Sequence, residues 1–135
     1  MLGGRLVGDW TTEATHPAVP GTVVRGTATI EWLEGERFLI FRAGNDHPDF
    51  PDSVSVIGDT DGLRMHYFDS RGVYRVYEVS VTDSGWEIAR DAPEFDQRLW
   101  MTFAEEDNTI IGKSKLSEDH ATWTDDLEIT YHRTR

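Results

Sequence analysis

The chain has no cysteine, which excludes disulfides and thiolate metal sites. It also has no apolar run near the ~20 residues that a membrane-spanning helix needs. Its opening, "MLGGRLVGDW", lacks the apolar stretch of a secretory signal, so a soluble, cytoplasmic protein is the expectation. Lysine is confined to Lys113 and Lys115, and the formal net charge is −12. Phosphate and anionic lipid require clustered cations, so neither a nucleic-acid partner nor membrane insertion is expected. The P-loop, the Gly-x-Ser-x-Gly elbow, the His-Glu-x-x-His pair and the dinucleotide fingerprint are all missing. Linkers, repeats and low-complexity segments are missing too, and 135 residues suit one domain, 1–135.

What the chain does have is β pattern. Short runs rich in Val, Ile, Thr, Tyr, Phe and Trp alternate with turn signals at 33–37, 59–63, 69–73, 82–86, 105–109 and 117–121. Two longer connections, "THPAVPG" (15–21) and "GNDHPDFPD" (44–52), contain prolines that cannot donate to a ladder and read as loops. The strands fall near 5–14, 22–34, 36–43, 53–60, 63–69, 73–82, 85–91, 97–104, 109–116 and 121–133. Apart from a possible single turn in 15–21, no helical period stands out. An antiparallel meander of about ten strands is expected to close into an all-β barrel, which removes its edges and leaves room inside for a small ligand.

Hairpin register assigns the faces. Two-residue turns at Asp61-Gly62, Arg71-Gly72 and Ser84-Gly85 put Val79, Val81, Trp86 and Ile88 opposite in facing to Glu78, Ser80, Glu87 and Ala89. The apolar set must point inward. Carried back along the ladder, the same face holds Ile57, Arg64, His66, Phe68, Arg75, Tyr77 and Arg90, unless a β-bulge inverts it. In the second strand Val24, Gly26, Ala28, Ile30 and Trp32 face inward. In the last strand Trp123, Asp125, Leu127, Ile129, Tyr131 and Arg133 do so, with Asp126 and Glu128 outside. Buried unpaired charges cost several kcal/mol, so an interior holding Arg64, Arg75, Arg90, His66 and Asp125 calls for pairing, water or a ligand. The alternative is that the arginines stand solvated at the rim.

The opening Gly8-Asp9-Trp10 is similar to the Gly-x-Trp signature of calycins. With "GTATIEWLEGERFL", "DHPDFPDS", "YFDSRGVYRVYEV" and a last strand ending in arginine, nearly the whole chain resembles bacterial lipocalin-like members of that superfamily, whose function is uncharacterised. The superfamily includes lipocalins, fatty-acid-binding proteins and nitrobindin-like barrels. The resemblance implies that Trp10 plugs one barrel end and Arg133 packs over it, a structural pairing of cation and indole. Nitrobindin-like members hold haem through a histidine in a His-Leu-x-Ala-x-Leu-x-Arg pattern. This chain reads "DLEITYHR" (126–133), with Asp126 in the histidine's place and His132 facing outward, so haem is disfavoured and no cofactor is expected.

The functional expectation is therefore a barrel that binds a small, mostly apolar ligand with an acidic or polar head. Arg64, His66, Arg75, Tyr77, Arg90, Trp123 and Asp125 are the candidate binding residues, and the two proline loops are the candidate lids. His66, facing Tyr77 across the hairpin, reads either as a ligand group or as a satisfied core histidine. A competing class is a cofactor-free isomerase, cyclase or hydrolase with His66 as base and Arg75 as electrostatic stabiliser. A third is a fully packed barrel acting as a partner-binding module. Asp46, His47, Asp49 and Asp52 could ligate a divalent cation, but a portal loop explains them and no metal is expected. Oligomeric state stays open, a homodimer included.

Overall fold

The computed structural model describes residues 2–135. One short helix, α1 (Leu2–Leu6), precedes ten strands: β1 (Gly8–Thr15), β2 (Val24–Trp32), β3 (Phe38–Asn45), β4 (Ser53–Asp59), β5 (Leu63–Asp69), β6 (Tyr74–Thr82), β7 (Gly85–Arg90), β8 (Asp96–Ala104), β9 (Thr109–Ser117) and β10 (Thr124–Arg133). Each strand pairs antiparallel with its sequence neighbours, and β1 pairs with β10, so the meander closes into one barrel with no free edge. Among the described residues no helix is long and apolar enough to cross a membrane.

One end of the barrel is sealed. Residues 2–6, where the first strand was expected to begin near 5, form α1, whose Leu6 is fully buried. Five residues do not make a stable helix in water, so packing must hold it there. Gly3 is required at that contact, because a Cβ would collide with the Trp32 ring. Trp10 donates its indole N–H to the Leu6 carbonyl at 3.0 Å, and the Arg133 guanidinium lies 4.2 Å over the Trp10 ring. Arg133 also donates to the carbonyls of Val7 (2.7 Å), Arg5 (2.6 Å) and Asp107 (3.1 Å). Arg5 braces the same end, paired bidentately with Asp107 and lying 3.8 Å over Phe103.

The other end is a mouth ringed by segments 16–23, 46–52, 70–73, 91–95 and 118–123, which connect alternate strand pairs. Both proline loops lie here. The first contains turns rather than a helix, with Val19 N–H donating to His16 O.

Two hairpins correct the expected facing of β5. Asp59 pairs with Leu63 around a three-residue turn, in which Asp61 and Gly62 take positive φ and their N–H groups reach Asp59 Oδ1. At the next corner Gly72 N–H donates to Asp69 O, Gly72 takes positive φ and Asp69 N–H donates to Val73 O. That is a type I turn closed by a left-handed glycine, again of three residues. Each turn adds one residue to the two-residue geometry expected. The first addition inverts β5, and the second restores β6. Hence Ile57, Tyr77, Val79, Trp86 and Ile88 face inward as expected, while in β5 the inward residues are Met65 and Tyr67. Arg64, His66 and Phe68 face out, and Phe68 is 47% exposed, stacked 4.9 Å from Tyr74. Val81 shares the inward phase but stands half exposed beside the closed-end turn.

A second irregularity corrects β10. Asp125 pairs with Lys115 and Glu128 with Lys113, so Asp126 and Leu127 together oppose Ser114 in a β-bulge. Asp126 thereby turns inward beside Leu127. Asp125 points to solvent, 78% exposed, in an ion pair with Lys115 at 3.0 Å.

Candidate functional site

The lumen above the sealed end holds a cavity of about 610 Å³ that opens at the mouth. This lies in the size range of small-molecule sites, and it removes the reading of a fully packed barrel. Its deeper wall is apolar: Ile57, Met65, Trp86, Leu99, Met101 and Ile129. These side chains alternate inward from five different strands, as a half-buried barrel wall must. Tyr131 closes one side, buried and edge-on to both Trp10 and Phe41.

Polar groups collect in the layer nearest the mouth. Tyr77 donates its hydroxyl to Gln97 Oε1 at 2.8 Å. Burial pushes its phenol pKa up, and the adjacent Arg75 guanidinium partly opposes that shift. Arg75 lines the cavity and lies 5.0 Å over the Phe95 ring. Among the described residues no carboxylate lies within 4.0 Å of it. Arg71 also reaches the cavity, yet its charge is committed to Asp69 through a 2.6 Å ion pair. That carboxyl is fully shielded by its own fold and also accepts from Tyr67 Oη at 2.7 Å. The hydrogen bonds from Arg71 hold Asp69 well below the usual carboxylate range, and burial together with Asp69 pushes the Tyr67 phenol up.

On the other side of the lumen the bulged Asp126 accepts from His16 Nε2 at 2.8 Å. His16 comes from the first mouth loop and also stands edge-on to Phe50 of the second, at 6.5 Å. His16 and Asp126 were missed in the sequence. A histidine beside a proline in a loop carries no facing signal, and the bulge that turns Asp126 inward follows from the pairing of β10 with β9.

The remaining expected site residues divide in the following way. Arg75 lines the cavity, and Tyr77 is buried in the barrel interior with its hydroxyl on the cavity-lining Gln97. Arg90 does not line the cavity. It lies 5.3 Å over Phe95 and pairs with Glu94, while its Nη1 is buried without a partner. Trp123 sits on the rim with the Arg98 guanidinium 5.3 Å over its ring. Arg64, His66 and Asp125 are outside for the register reasons given above. His66 is tied instead to Thr60 Oγ1 and Tyr74 Oη, both at 3.1 Å, so the enzymatic reading loses the base it was built on. Asp46, His47, Asp49 and Asp52 serve the portal loop: His47 Nδ1 accepts the Asp49 N–H and Asp52 Oδ1 accepts the Asn45 N–H. Among the described residues no three His, Asp or Glu side chains converge as metal ligands.

The fold has solved counterparts. Rv2717c from M. tuberculosis superposes with a TM-score of 0.65 at 14% identity, covering 97% of this chain and 94% of that one. The S-type phycobiliprotein lyase CPES from Guillardia theta superposes with a TM-score of 0.55 at 11% identity, covering 98% of this chain and 90% of that one. What these structures share with this chain is the fold, a closed antiparallel β-barrel. No family model and no curated protein matches the chain.

Proposed function

We propose that this barrel binds a small, largely apolar molecule with an acidic head, its tail against the deep wall and its head at Arg75. The observation that carries this reading is the pairing state of the lumen cations. Arg71 is neutralised by Asp69, whereas Arg75 faces an apolar cavity with no carboxylate partner of its own. A half-buried guanidinium against an apolar wall gains from an anion that reaches it, and its planar fork suits a carboxylate. Tyr77 and the free amide of Gln97 would then orient the head, as a few convergent polar groups do in apolar pockets. Haem stays outside this reading, since both nitrogens of His16, the lumen-facing imidazole, are engaged.

Native mass spectrometry of protein purified from its own host, followed by titration with fatty and aromatic acids and their matching alcohols, tests the reading. Acids should bind in preference to alcohols, and Arg75→Leu should weaken the acids about tenfold or more while sparing the alcohols. No co-purifying molecule, together with no binding across the panel, overturns it.

A further inference from the structure

Asp126 offers the lumen an acceptor that the protein itself does not use. Its Oδ1 accepts from His16 Nε2, and among the described residues Oδ2 has no donor. The other ring nitrogen, His16 Nδ1, accepts the Ala18 backbone N–H at 3.0 Å. An N–H donating to Nδ1 requires a lone pair there, so the network assigns the proton to Nε2 and makes His16 the neutral tautomer. A neutral imidazole orients the carboxylate without cancelling its charge. Among the described residues no Arg or Lys lies within 4.0 Å of Asp126, although the side chain is 85% buried, with 15% exposed.

The lumen therefore carries an unpaired cation on β6 and an unpaired acceptor on β10. Tyr77 feels both, because Arg75 lowers its phenol pKa and Asp126 raises it. A simple acid docked on Arg75 would bring a second anion towards Asp126 and leave Oδ2 to water alone. A hydroxyl or N–H on the same head would turn that repulsion into a hydrogen bond with a charged acceptor, one of the stronger kinds. We infer that Asp126 is a second polar subsite, and that the ligand class is an amphiphilic acid whose head also carries an O–H or N–H donor. This rests on the binding reading above and narrows it.

The test is calorimetric titration of the full chain with dodecanoic acid and with its α-hydroxy and β-hydroxy derivatives. At least one hydroxy acid should bind about tenfold more tightly than the parent acid, which corresponds to about 1.4 kcal/mol. In Asp126→Leu the ratio of the two dissociation constants should fall to about one. Asp126→Asn, nearly identical in shape, should lower the ratio as well and covers the case in which the leucine variant does not fold. If all the acids bind and the hydroxyl makes no difference, or if the ratio survives both substitutions, the donor subsite is refuted and the binding reading stands. If none of the acids binds, the donor subsite is refuted, and the binding reading falls with it when the wider panel and the native mass spectra are blank as well.

Discussion

Replacing Arg133 by leucine tests how the barrel is sealed. The guanidinium contributes a cation–π contact to Trp10 at 4.2 Å, worth about 1 kcal/mol when partly desolvated. It also satisfies three carbonyls, those of Val7, Arg5 and Asp107. Hydrogen bonds from a charged donor contribute about 1.5–3 kcal/mol each when fully buried. These sites are only part-buried, so water recovers much of that, and about 2 kcal/mol in total is a fair sum. The expected loss is about 3 kcal/mol. With an unfolding entropy of roughly 2.1 cal/mol/K per residue, a chain of this length should melt about 10 °C lower. Urea unfolding and calorimetry measure both quantities. Arg135→Ala is the control, because Arg135 is 80% exposed in its pair with Asp9 and should change stability by no more than about 0.5 kcal/mol. A loss below about 1 kcal/mol for Arg133→Leu, or equal losses for the two variants, would refute the claim that this arginine closes the barrel end.

Other substitutions separate the lumen arginines and the mouth. Arg75→Leu removes a cation without a carboxylate partner, so stability should hold or rise by up to about 1 kcal/mol. Arg71→Leu strands the shielded Asp69 and should cost about 1–3 kcal/mol; equal effects in chemical denaturation would show that the two cations are not differently paired. His120 donates to Asp96 and to Pro93 O, and these bonds raise its pKa. Its contribution is therefore complete below the unfolded value of about 6.5 and is lost as pH rises through the raised folded value. As pH rises from the unfolded value of about 6.5, the urea midpoint of the native chain should fall more steeply than that of His120→Gln, and parallel profiles would contradict the pairing. Asp119 works in the opposite direction: backbone N–H groups of Thr122 and Ala121 hold its pKa at about 2, so its contribution fades as pH drops from its unfolded value towards that one. Gly85→Ala would drive a Cβ into the Met101 carbonyl and should cost about 2–3 kcal/mol, measured by the same unfolding curves.

Strand number, strand order and the positions of most turns were legible in the sequence, because alternation and turn chemistry are local properties. Facing was legible wherever apolar residues oppose charged ones, as in β2 and in the Val79 to Ile88 hairpin. It was illegible in "LRMHYFD", where both faces mix aromatic and polar side chains and the hydrophobic pattern selects neither register. There the outcome turned on one extra residue at each of two corners, and Asp59 and Gly72 could have signalled it through Asx-turn and left-handed geometry.

The sequence by itself determined that this chain forms a closed antiparallel barrel with Trp10 and Arg133 available to meet at one end. Only the tertiary structure decided which charges enter the lumen. Ladder pairing is set by neighbours distant along the chain, and a single inserted residue turns every following side chain to the other face. Two three-residue turns took Arg64 and His66 off the inward face while keeping Arg75 and Tyr77 on it, and one bulge exchanged Asp125 for Asp126.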